Sequence, residues 1–294
     1  MRWRDMRDSD NVEDREGAGP AGGGLGGGVK LGGAGLIVVV ALSLLFGLNP
    51  LDVLTSLQGG GAPILSPAPS APPPGPAAPA ARDETREFVA RILGDTEDTW
   101  SALFRGRSPG YRPPRLVLFR GSVDSACGLA NSAVGPFYCS ADDRVYLDRA
   151  FFEDLATRFG APGEFARAYV IAHEVGHHVQ NQLGITEKVA RQRSRVGETR
   201  GNAFSVLVEL QADCFAGVWG HFAKERHLLE PGDVESGLAA AAAVGDDRLQ
   251  RQARGYVTPE SFTHGSSAQR VRWFRAGLDS GDVRQCDTFA TARS

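Results

Sequence analysis

Polar and apolar positions divide the chain into four unlike stretches. Over 1–30, charges of both signs follow one another with no apolar period and run into glycine, which dominates 17–35; a segment of this kind cannot bury a core and is expected to be a disordered tail. Leu31 to Leu48 then carries no charge for 18 residues. A helix rising about 1.5 Å per residue over that length just covers a hydrocarbon core of roughly 30 Å, so 31–50 predicts a single transmembrane helix. A buried core helix or a cleaved signal peptide is the competing reading. The Pro, Ala and Ser run that fills 51–81 predicts a semi-extended linker.

From Arg82 the pattern becomes periodic, and 82–294 is expected to be one folded domain. Phe88, Val89, Ile92, Leu93, Trp100, Leu103 and Phe104 recur at helical spacing, as one amphipathic helix or two short ones. LVLF at 116–119 and RVYLD at 144–148 read as strands. After Asp148 the spacing is mostly helical, over 149–159, 164–183, 202–226 and 266–278. Few strands followed by many helices predicts an α+β domain, mostly helical with a small sheet.

Charge orients the expected span. Basic residues flank it only on the N-terminal side until Arg82, which predicts a cytoplasmic tail and a domain outside the cytoplasmic membrane. The net charge of −3 and the lack of a dense basic run argue against a nucleic-acid partner. Cys127, Cys139, Cys214 and Cys286 all fall beyond the span, where an even count suggests disulfides with three possible pairings. Cys127 with Cys139 closes a short loop, and Cys214 with Cys286 ties the C-terminal region to a helix. No C-x-x-C is present, which argues against a zinc knuckle.

The chain holds six histidines, and three of them lie in IAHEVGHHVQNQ, Ile171 to Gln182. His173 and His177 are four residues apart, so on a helix both imidazoles face the same way and can reach one ion. Glu174 then sits beside that ion, where its carboxylate can take a proton from water. His178 is rotated about 100° from His177 and is expected at the surface or behind the ligands. The longer pattern H-E-x-x-H-x-x-G-x-x-H needs glycine at Gln180 and histidine at Leu183, so it is excluded. Glu209, inside the apolar run VLVELQADCFAGVW, is the expected third ligand, because a buried carboxylate is costly unless paired or metal-bound. Asp213, one turn on, can hold the far nitrogen of a ligand histidine. Glu187 and Glu198 are competing ligands in strongly polar surroundings. In FTHGSSAQRVRWF, His264 is a candidate donor to an oxyanion, and Arg270 a partner for a buried carboxylate. Ser266 and Gln269 can cap a helix there.

With HEVGH, ELQAD, CGLANSAVGPFYCSADDRVYLD and THGSSAQRVRWF in hand, the chain from Arg82 to Phe289 resembles a bacterial family of neutral zinc metallopeptidases. The resemblance implies a zincin-like domain behind a membrane anchor, Zn2+ as cofactor and a protein or peptide substrate. HEVGH with a later E-x-x-x-D also resembles the gluzincin arrangement of the CAAX prenyl protease group. That implies zinc on His173, His177 and Glu209, Glu174 as general base, and Asp213 supporting a histidine. Zincins lay an extended substrate along an edge strand, for which RVYLD is the candidate. A zinc-stabilised envelope scaffold, or a hydrolase of a non-protein amide, stays open beside the endopeptidase.

Overall fold

The computed structural model describes residues 1–15, 83–131 and 135–290. Strand β1 (Val12–Asp14) opens the sheet, and helix α1 (Glu84–Leu103) follows, its first turn capped by the Asp83 carboxylate accepting from the Arg86 amide at 3.0 Å. β2 (Arg115–Phe119), β3 (Ser122–Ser125), β4 (Gly128–Asn131), β5 (Phe137–Cys139) and β6 (Arg144–Asp148) come next. The rest is helical: α2 (Phe151–Thr157), α3 (Glu164–Gln182), α4 (Ile185–Arg193), α5 (Glu198–Glu225), α6 (Asp233–Ala243), α7 (Asp246–Arg254) and α8 (Ser267–Ser280).

The four-stranded sheet has the order β1-β2-β6-β5, with β1, β2 and β6 parallel and β5 antiparallel to β6. After the exposed Arg115, β2 is an unbroken apolar run because both of its faces are buried. Leu116 and Leu118 join Val145 and Leu147 against the helices, while Val117 and Phe119 point the other way to Tyr146, Cys139 and the β3–β4 hairpin. RVYLD therefore lies inside the sheet as β6, and the edge strands of this sheet are β1 and β5, contrary to the expectation from sequence. Disulfides join Cys127 to Cys139 and Cys214 to Cys286, as expected.

The N-terminal region requires a correction. Residues 1–15 belong to the folded body: Met1, Trp3, Met6 and Val12 are buried in the same cluster as α1, α3 and β2. Their charges are engaged, with Arg7 on Glu97 and Asp98, Glu13 on Arg115 and Arg144, and Asp14 on Arg149. Gly94 of α1 makes room for this segment, since a Cβ there would lie 2.5 Å from the Arg7 carbonyl oxygen. A tail in the cytoplasm and a domain across the membrane could not share one core. Among the described residues no helix is long and apolar enough to cross a membrane. The span expected at 31–50 and the linker at 51–81 lie outside the described residues. The single-pass, extracytoplasmic placement and the membrane partner read from that span are accordingly withdrawn, while the α+β architecture, mostly helical with a small sheet, describes the molecule.

Candidate metal centre

HEVGH sits mid-helix on α3, and its glycine has a packing reason. A Cβ at Gly176 would meet the Ala212 carbonyl oxygen at 3.0 Å, so α3 and α5 approach closely only because that position is bare. The close crossing brings Glu209 to the histidines. His173 Nε2 lies 3.1 Å from His177 Nε2 and 3.2 Å from Glu209 Oε2, and His177 Nε2 lies 3.4 Å from Glu209 Oε1. Ligands about 2.0–2.1 Å from a tetrahedral zinc stand about 3.3 Å apart, so this donor set fits zinc. Glu187 and Glu198, the competing carboxylates, are exposed.

The far nitrogens of both histidines are held. His173 Nδ1 is 2.9 Å from Asp213 Oδ1, and His177 Nδ1 is 2.9 Å from Gln180 Oε1. Each contact fixes which nitrogen faces the other donors. Asp213 is in turn gripped by both ends of Arg270, Nε to Oδ2 at 2.8 Å and Nη2 to Oδ1 at 2.9 Å, and accepts the Tyr169 hydroxyl at 2.5 Å. Gln180 donates to the Val208 carbonyl at 2.7 Å and to Gln211 Oε1 at 3.1 Å, which ties it to α5. Gln180 and Tyr169 went unrecognised in the sequence. The signal for Gln180 was its place three residues after His177 on the same helix face; Tyr169, four before His173, had the same signal.

Electrostatics follow from this wiring. Burial by itself would raise the Glu209 carboxyl, but the two imidazoles hold it well below the ordinary carboxylate range. Burial works against a charged His173, yet its hydrogen bonds to Asp213 and Glu209 prevail and bring it to about 9. The carboxylate charge that favours a proton on this ring also favours a metal cation at Nε2, which takes the proton's place there. Glu174 is buried, and burial raises its carboxyl despite the neighbouring His173 and His177. Among the described residues nothing hydrogen-bonds that carboxylate, so it is free to meet water from the cleft.

The cleft encloses about 660 Å³, and His173, Glu174, His177, Glu209, His264 and Arg270 all line it. His264 stands at its rim, on a loop shaped by Asp246: Oδ2 accepts from the amides of Thr263, His264 and Gly265 at 2.8, 2.6 and 3.0 Å, and Oδ1 lies 3.2 Å from His264 Nδ1. Partial burial opposes its charge, but Asp246 and the nearby Glu209 raise it above the ordinary histidine value. Ser266 caps α8 together with Gln269, as the sequence suggested. His178 is neither at the surface nor behind the ligands. It is buried, 3.1 Å from the Tyr138 hydroxyl and 2.6 Å from the Arg112 carbonyl oxygen, and so anchors edge strand β5 to α3.

Two histidines one turn apart, a carboxylate from a second helix and an unengaged glutamate beside them make up the residue set of a metal-dependent hydrolase. The family described as "Putative neutral zinc metallopeptidase" matches residues 1–289, and the chain belongs to it. The match includes the N-terminal segment, which the resemblance read from the sequence left out. An uncharacterized protein of Escherichia coli (strain K12), YpfJ, is 47% identical over 291 residues, 98% of this chain and 99% of that one. An uncharacterized protein of Mycobacterium bovis, Mb2605, is 45% identical over 221 residues, 71% of this chain and 73% of that one. No solved structure matches the chain.

Proposed function

We propose that the chain is a zinc-dependent endopeptidase, with His173, His177 and Glu209 as ligands, Glu174 as general base, Asp213 orienting His173 and His264 as oxyanion donor. The observation that carries this reading is the convergence of three donors, 3.1–3.4 Å apart, beside a buried carboxylate and open to a cleft. Bound zinc supplies Lewis acidity at its open position and lowers the pKa of water there to about 7. Glu174 takes a proton from the attacking water and passes it to the leaving amine. His264, held at the rim of the cleft by Asp246, donates to the carbonyl oxygen as charge develops there. An extended substrate lies along the edge strand β5, whose Phe137 and Tyr138 line the same cleft.

The cleft argues against a purely structural metal, since structural zinc sites close the fourth position with another protein ligand. The test is cleavage of a mixture of unfolded proteins by the full chain, followed by mass spectrometry. The reading expects cuts that stop with 1,10-phenanthroline, return with added zinc and are lost in Glu174→Gln. Cuts that persist in both conditions belong to a contaminant and defeat the assignment.

A further inference from the structure

A cavity of about 660 Å³ is far larger than a metal ion and a water require, a water's share of liquid being about 30 Å³. Beyond the polar residues of α3, α5, α8 and the His264 loop, its lining is mainly apolar, with Tyr138, Ser140, Asp154, Arg158 and Thr186 as the polar exceptions. Phe137 comes from β5, Phe151 from α2, Phe159 from the turn after it, Val170 from α3, Val244 from the end of α6 and Leu249 from α7. All but Val170 are only half buried, so their apolar faces look into the cavity. Val170 stands one helical turn before Glu174, so the apolar part begins next to the proposed base.

This wall is shaped and neutral. The rings of Phe151 and Phe159 lie 6.1 Å apart, and Arg248 Nη2 donates to the Phe159 carbonyl oxygen at 3.0 Å, which fixes the turn against α7. Gly135, at φ +74°, passes close over Phe151, whose ring lies 3.7 Å from the position a Cβ would take. The charges on the wall, Asp154 and Arg158, neutralise each other at 3.0 Å. Concave apolar surface adjoining a few convergent polar groups is the signature of a ligand subsite.

We infer that this half of the cleft receives a large apolar side chain, aromatic or branched aliphatic, from the substrate residue next to the scissile bond. The inference rests on the peptidase reading above and names its substrate class: flexible polypeptide segments that carry such residues. An apolar pocket discriminates by tens-fold per methylene or so. At least a tenfold preference for Phe or Leu over Gly, Asp or Lys is therefore expected at one position beside the cut.

Two measurements on the full, zinc-loaded chain test this. In the first, a randomised peptide library is digested and the residues flanking each cut are counted, for wild type and for Leu249→Arg. In the second, binding of N-acetyl-phenylalanine amide and N-acetyl-glycine amide to the Glu174→Gln chain is followed by NMR. Apolar enrichment that falls tenfold in Leu249→Arg, and binding of the phenylalanine amide at least tenfold tighter, bear the inference out. Cleavage without apolar preference, or equal binding of the two amides, overturns it. If nothing is cut but the phenylalanine amide still binds selectively, the peptidase reading fails and the apolar subsite stands. Should Leu249→Arg fail to fold, the wild-type library and the two amides decide alone.

Discussion

Asp213 and Asp95 are both buried aspartates on long helices, each paired with an arginine, and their environments push them in opposite directions. Burial raises both. At Asp213 a bidentate Arg270, itself only 4% exposed, together with His173 more than offsets this and holds the carboxyl below its ordinary value. Asp95 has one contact with Arg226, whose side chain is 37% exposed, and a hydrogen bond from Trp219 Nε1 at 2.8 Å. There burial prevails, and the carboxyl is raised. A second guanidinium contact and exclusion of solvent separate a charge kept ionised to orient a histidine from one that holds helices together.

The largest effect should come from Arg270→Met, which strands Asp213 in the interior. We expect a loss of about 3–5 kcal/mol in urea unfolding. Arg226→Met, at a pair that water reaches, should cost no more than about 1 kcal/mol. Equal losses would erase the distinction between the two sites. Asp213→Asn should weaken zinc binding by about 10- to 100-fold in competition with a fluorescent chelator, because His173 loses its orienting partner. Asp95→Asn should leave zinc affinity unchanged.

The smallest effect is in pH. Asp213, lowered on folding, stabilises the fold above its unfolded pKa of about 3.9, and that contribution is lost as pH falls through the folded value. Asp95, raised on folding, contributes in the opposite sense: its share is full below about 3.9 and is lost as pH rises through the folded value. Urea midpoints between pH 3 and pH 7 should therefore tilt toward higher relative stability at neutral pH in Asp95→Asn, and toward acid in Asp213→Asn. Tilts of the same sign would contradict the two directions.

What could be read in the sequence was local. HEVGH is one turn of one helix, and Glu209 stood out as a charge inside an apolar run. β2 and β6 are short stretches rich in β-branched and aromatic residues, and both disulfides were paired correctly. The N-terminal segment could not be read this way, because its partners lie far along the chain. Ser9 and Asn11 reach Glu97, and Trp3 Nε1 donates to Glu164 at 2.8 Å in the first turn of the helix that carries HEVGH. A run of mixed charge looks solvated until those partners are known. The uncharged stretch at 31–48 raised the opposite difficulty, a strong local signal for a membrane topology that the shared core of residues 1–15 and the domain does not allow. β5 is three residues long and shows no alternation to detect, and α6 ends in five consecutive alanines, with little apolar contrast around the helix.

The most direct test is zinc per chain, measured by inductively coupled plasma mass spectrometry on the full protein purified without chelator, for wild type, Glu174→Gln and Glu209→Gln. The account predicts about one zinc in wild type and in Glu174→Gln, and little in Glu209→Gln, which lacks its third ligand. Full zinc in Glu209→Gln, or none in wild type, would contradict the ligand set of His173, His177 and Glu209.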